Sequence, residues 1–302
     1  MEPEDARGVL LGVACGDALG RPVEGWPAAR IQRRYGTVST MLADGVHGLP
    51  AGSITDDTEL TRRLARSLAE RDGWDPDDAA ERFVRWFRGD PTGIGGMTYR
   101  VLSRIAGGED WRRASRAVWE ASPEGRNAGN GSLMRCAPVA VAFAGDRERL
   151  CTASRESSML THWDTRCRDA CAALNVAIAA ASRGDAPVAA ALDDLGDDGH
   201  EDVTAALERG RVAADAGRTD RLPVTGYVVD TLEAAVGHAL AADSAREAIV
   251  TAVNNGGDAD TVGAVAGALA GARYGAESLP DAWLDALSCR DELETLAASV
   301  TE

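Results

Sequence analysis

The sequence predicts an all-α protein, folded as one multi-helix bundle domain over residues 1–302. Three observations carry that expectation. Apolar residues recur at the three-to-four spacing of helices, while strand-type alternation is rare. Aromatic residues are only 5% of the chain, so alanine and leucine must build most of the core. Two segments also place glycine at every fourth position, which puts a bare stripe along one helix face.

The elements follow in order. The first helix carries Gly8, Gly12, Gly16 and Gly20. The next begins at residues 55–58 and turns Leu60, Leu64 and Leu68 to one side. Phe83, Trp86 and Phe87 cluster in another helix and read as core rather than as a ligand platform. Ala170, Leu174, Ala177, Ile178 and Ala181 form a further stripe, and Ala245, Ala248, Ile249 and Ala252 another. The last glycine helix carries Gly263, Gly267 and Gly271. Each interior glycine costs about 1 kcal/mol against alanine. A repeated glycine stripe therefore needs compensation, and close backbone approach between two central helices supplies it. Those two helices are expected to bring their adjoining acidic loops together. Breaks fall at residues 89–91, 123–125, 193–202 and 217–223, the third as a solvated loop. None is long enough for an interdomain linker, and no repeat of fixed period is visible.

Composition excludes several classes. A net charge of −16 argues against a nucleic-acid binder that works through a basic surface. Six cysteines without a CxxC pair, and an N-terminus without a basic leader, are expected of reduced thiols in a cytoplasmic protein. No apolar run approaches the roughly 18 residues of a membrane span. A monomer is expected.

Two acidic clusters stand out, Thr55-Asp56-Asp57-Thr58 and Gly256-Gly257-Asp258-Ala259-Asp260-Thr261. They offer four carboxylates and threonine hydroxyls, hard oxygen donors suited to Mg²⁺ or Mn²⁺ rather than to zinc. Each alone is also ordinary chemistry for the start of a helix, a cap followed by acids. Together, two like-charged clusters converging without a cation would repel strongly. Asp17 lies on an otherwise apolar, glycine-striped helix and is expected to be buried and hydrogen-bonded. Glu24 follows that helix in a Pro/Gly turn, as a projecting carboxylate or a plain surface acid. The glycine-rich loop Gly129-Asn130-Gly131-Ser132 offers N–H groups to a phosphate, though turn chemistry alone also explains it. His162 suits either stacking on a base or ribose, or packing in the core.

Taken in order, these motifs, with residues 12–20 and Thr161-His162, resemble the ADP-ribosylglycohydrolases, from about residue 8 to about residue 275. The resemblance implies an all-α orthogonal bundle with a binuclear Mg²⁺ or Mn²⁺ centre in a central cleft. It implies Thr55, Asp56, Asp57, Asp258, Asp260 and Thr261 as metal ligands and Glu24 as the catalytic or metal-gating glutamate. Asn127, Gly129, Asn130, Gly131, Ser132 and His162 would contact ADP-ribose. The activity implied is hydrolysis of the glycosidic bond between ADP-ribose and a protein side chain, arginine or serine, or a small acceptor. One departure is Gly93, which stands where arginine-directed relatives carry an aspartate; Asp90 is the nearest acid. That departure gives weight to an O-linked or small-molecule substrate. The competing expectations are a non-catalytic ADP-ribose-binding or structural member of the same fold, and a two-metal hydrolase of another nucleotide.

Overall fold

A computed structural model describes residues 1–301 apart from 44, 46, 47, 72, 90 and 92. Among the described residues there are sixteen α-helices. α1 (Pro3–Gly20) and α2 (Ala28–Tyr35) open the chain, followed by α3 (Asp56–Glu70), α4 (Pro76–Phe87), α5 (Gly96–Ala106) and α6 (Trp111–Glu120). The glycine-rich loop leads into α7 (Ala137–Phe143), α8 (Arg147–Met159) and α9 (Thr165–Ala181). Next come α10 (Pro187–Leu195), α11 (Glu201–Asp215), α12 (Val228–Ala241) and α13 (Ala245–Asn254). α14 (Ala259–Tyr274), α15 (Asp281–Ala286) and α16 (Arg290–Thr301) complete the bundle. Among the described residues no helix is long and apolar enough to cross a membrane.

The glycine stripes meet. α1 and α14 run antiparallel with backbones in contact along their length, and α3, α9, α12, α13 and α16 pack around the pair. A Cβ on Gly8 would lie 2.2 Å from the Gly271 carbonyl oxygen, one on Gly12 2.1 Å from that of Gly267, and one on Gly16 2.1 Å from that of Gly263. The obstructing atoms are backbone, which has nowhere to move. The entropy spent on glycine is thus offset by a contact that no other residue permits. Both helices are almost wholly buried, apart from the first turn of α1 and the last two residues of α14.

The apolar stripes read from the sequence all face inward: Leu60, Leu64, Ala170, Ala177, Ile178, Ala248 and Ile249 are fully buried, and Phe83 and Trp86 lie in the core. Two details differ from expectation. A two-residue antiparallel sheet pairs β1 (Trp26–Pro27) with β2 (Gly256–Gly257). It is too short to show alternation in sequence. The stretch from 193 to 202 is also less loop than expected: Asp193 and Asp194 end α10, and Glu201 and Asp202 begin α11. Asp194 accepts from Arg147 and Cys151, which holds the end of α10 against α8.

Candidate metal and ligand site

The site forms where α1 ends and α14 begins. Glu24 leaves the 3₁₀ turn after α1, and Gly25 N–H donates to the Gly257 carbonyl at 2.7 Å. β1 therefore ties the Glu24 strand to the Gly-Gly turn before Asp258. Gly256 and Gly257 have φ of +79° and +65°, and a Cβ on either would strike backbone within 2.4 Å. Only glycine fits this turn, and the turn aims Asp258 and Asp260 at Glu24.

The threonine at the start of α3 does not behave as a cap. Thr55 occupies the N-cap position without a side-chain capping bond, and Asp258 does the same on α14. Asp17 of α1 does that work for α3. Its carboxylate accepts from the backbone N–H of Thr55 and Thr58 and from both hydroxyls, at 2.9 Å from Thr55 Oγ1 and 2.5 Å from Thr58 Oγ1. Asp17 is thus buried and hydrogen-bonded as expected, and it pins the first turn of α3 to α1. Arg21 was not singled out by the sequence. Fully buried, it donates to the carbonyls of Leu42, Leu49, Pro50 and Ser53, which holds the segment leading into Thr55. An arginine after an apolar helix carries no signal that it will be buried.

These constraints deliver an acidic floor. Oxygens of Glu24, Asp258 and Asp260 lie within 4.8 Å of one another. Thr55, Asp56, Asp57 and Thr261 line the same pocket, which holds about 250 Å³. Asp57 Oδ1 is buried with no hydrogen-bond partner among the described residues. Burial, reinforced by the Asp17 carboxylate, pushes Asp56 up to about 7. Burial, then the Asp17, Asp56 and Asp258 charges, raise Asp57 well above the ordinary carboxylate range, and burial with the Asp57 and Asp258 charges does the same to Asp260. Clustered like charge with an orphaned buried oxygen is the environment that a bound divalent cation relieves. All the donors are oxygens, which fits Mg²⁺ or Mn²⁺.

The opposite wall is the glycine-rich loop and His162. A Cβ on Gly131 would stand 2.9 Å from His162 Cε1, and one on Gly129 3.5 Å from His162 Nε2, so the loop is bare because the imidazole packs on it. Asn130 lines the pocket, but its amide is already engaged, donating to Asp258 Oδ2 at 2.6 Å and to Thr231 Oγ1 at 3.0 Å. It holds a floor carboxylate in place from the opposite wall. Two residues of the expected ligand set are not brought to the pocket lining. Asn127 accepts from Arg166, and Ser132 is buried with Ser158 and Cys171 bonded to its hydroxyl. Gly93 does line the pocket, with φ +84°, while Asp90 lies outside the described residues.

Comparison with known proteins agrees with this architecture. The family model described as ADP-ribosylglycohydrolase matches residues 2–302. The chain is 32% identical over 291 residues to the ADP-ribosyl-[dinitrogen reductase] glycohydrolase of Rhodospirillum rubrum, covering 96% of this chain and 92% of that protein. It is 29% identical to the ADP-ribosylarginine hydrolase Tri1 of Serratia proteamaculans (strain 568), covering 97% of this chain and 78% of that one. A solved structure named ADP-ribosylglycohydrolase-related protein complex superposes with a TM-score of 0.81 at 38% identity, over 99% of this chain and 98% of the other.

Proposed function

This chain belongs to the ADP-ribosylglycohydrolase family, and we propose that it is a metal-dependent hydrolase cleaving the bond between the ribose anomeric carbon of ADP-ribose and an acceptor. The observation that carries the reading is the meeting of Glu24, Asp258 and Asp260 within 4.8 Å on the floor of a pocket whose far wall is a glycine loop. A structural member of the fold would have no reason to concentrate buried carboxylates at the cost of stability.

Thr55, Asp56, Asp57, Asp258, Asp260 and Thr261 would hold the divalent cations that this donor set fits, and these would supply positive charge to ribose hydroxyls and to an activated water. The chain's own residues do the rest. Asp17 keeps the first turn of α3 in place, and Asn130 keeps Asp258 in place. Glu24, half-buried at the pocket, takes the proton of the attacking water at a carboxylate oxygen. The water oxygen bonds to the anomeric carbon through an oxocarbenium-like state while the bond to the acceptor nitrogen or oxygen breaks, and the acceptor takes a proton from solvent as Glu24 returns one there. The products are ADP-ribose and the free acceptor. Gly129, Gly131 and His162 line the pocket together, as the wall that would meet the pyrophosphate.

Gly93 bears on the acceptor. It lines the pocket without a carboxylate, so nothing at that position pairs with a guanidinium. That favours an O-linked or small-molecule acceptor, while the likeness to an ADP-ribosylarginine hydrolase keeps the arginine linkage as the second reading. The test is Glu24→Gln. It is expected to retain ADP-ribose binding by calorimetry and to lose turnover by at least about 100-fold. Turnover equal to the unaltered protein removes Glu24 from the chemistry. Parallel assays of arginine- and serine-linked ADP-ribosyl peptides decide the acceptor.

A further inference from the structure

The ligand pocket contains no cationic side chain among its described lining residues, yet one buried cation stands directly behind its glycine wall. Arg135 is 1% exposed, and no carboxylate forms an ion pair with it among the described residues. Its guanidinium instead donates to the Gly131 carbonyl at 2.5 Å, the Ser157 carbonyl at 3.2 Å and Thr161 Oγ1 at 2.9 Å, and lies 4.7 Å from the centre of the Phe83 ring. A desolvated cation without a counter-ion is expensive unless its position matters.

What it fixes is a proton. Thr161 is fully buried, and among the described residues its hydroxyl has two partners: the Arg135 donor and His162 Nδ1 at 2.8 Å. Arginine has no acceptor, so the single hydroxyl proton of Thr161 can be satisfied only by His162 Nδ1. If Nδ1 carried the imidazole proton, the threonine proton would be buried and unsatisfied, which costs about 1–3 kcal/mol. The imidazole must then carry its hydrogen on Nε2, the nitrogen that faces Gly129 and Gly131 at the pocket. Burial and the neighbouring Arg135 charge also hold His162 down to about 3, so the ring is neutral near neutral pH.

We infer that Arg135 and Thr161 are positioning residues that lock His162 in the Nε2–H tautomer, so that it presents a hydrogen-bond donor to an oxygen acceptor of the bound ligand. The acceptor is a phosphate or ribose oxygen if the proposed ADP-ribose reading holds. His162 is then a binding donor, not a general base, and proton removal stays with Glu24.

The experiment begins without ligand. Long-range ¹H–¹⁵N correlation of protein labelled at histidine, with His162→Gln to assign the signals, is expected to show His162 Nδ1 unprotonated and Nε2 protonated. A protonated Nδ1 overturns the inference outright. Thr161→Val is expected to give a mixed tautomer, and to weaken ADP-ribose binding and raise KM by about tenfold with kcat within about twofold. Thr161→Ser, which keeps the hydroxyl, is expected to restore both the spectrum and the affinity. If Thr161→Val leaves the tautomer unchanged, the relay is wrong; if that variant fails to fold, the spectrum of the unaltered protein still decides. Failure of the unaltered protein to bind ADP-ribose would count against the proposed function, and the tautomer result would stand apart from it.

Discussion

The glycine seam and the acidic pocket belong to the same pair of helices, and they handle close approach in opposite ways. Along α1 and α14, glycine faces glycine with backbones touching and nothing to repel. Where the same helices end, Glu24, Asp258 and Asp260 are pressed together as like charges, and burial raises Asp57 and Asp260 far above their ordinary range. The seam stores stability; the pocket draws on it. A rigid seam is what allows carboxylates to be held close when their own interaction would drive them apart. If this is right, substitutions in the two regions should change stability with opposite signs.

The largest effect is expected in the seam. On an exposed helix, glycine to alanine gains up to about 1 kcal/mol. Here Gly12→Ala places a Cβ 2.1 Å from the Gly267 carbonyl oxygen, and a loss of about 3 kcal/mol or more in denaturant unfolding is expected. An unchanged or raised midpoint would break the comparison.

Next is the effect of the cation itself. Mg²⁺ or Mn²⁺ at about 100 times its dissociation constant is expected to add roughly 2.7 kcal/mol, removed by EDTA. The gain should be smaller at pH 5 than at pH 8, because the carboxylates must lose protons to bind. Thermal unfolding with and without metal at both pH values checks this, and a gain independent of pH would contradict it.

A third effect belongs to the wall opposite the acids. His162 is held at about 3 when folded, against 6.5 otherwise. The unfolded chain binds this proton between those values and the folded chain does not, so its contribution is present above about pH 6.5 and is lost as pH falls toward 3. From pH 8 to pH 5 the loss is about 2 kcal/mol. The comparison is with His162→Gln, whose stability should fall less over that range by this amount.

The smallest change has the most telling sign. Asp57→Asn removes one of the crowded buried charges, so the metal-free protein is expected to gain about 1 kcal/mol while losing metal affinity and turnover. A destabilised metal-free variant would mean that the acids are mutually supportive, not repulsive.

The sequence made the seam legible because a period of four glycines has few other uses, and it placed Glu24 after the first seam helix, Asp258 and Asp260 at the start of the second, and Asp56 and Asp57 at the start of a separate helix, α3. The Asp17 bonds to Thr55 and Thr58 were legible only by half: an acid on an apolar face must find partners, but which ones depends on how α3 docks. Arg21 and Arg135 were not legible, because their burial is created by distant segments folding over them. Nor were the turned-away Ser132 and the occupied Asn127, since a motif gives order along the chain and not the direction of a side chain.

The most direct measurement is mass-spectrometric detection of ADP-ribose released from ADP-ribosyl peptides, arginine- and serine-linked, with Mg²⁺, Mn²⁺ or EDTA and with Asp258→Asn alongside. Release from at least one peptide with metal, abolished by EDTA and by Asp258→Asn, is the expected result. Release that persists in EDTA, or that Asp258→Asn leaves at full rate, would contradict a cation centre built on the meeting of α1 and α14.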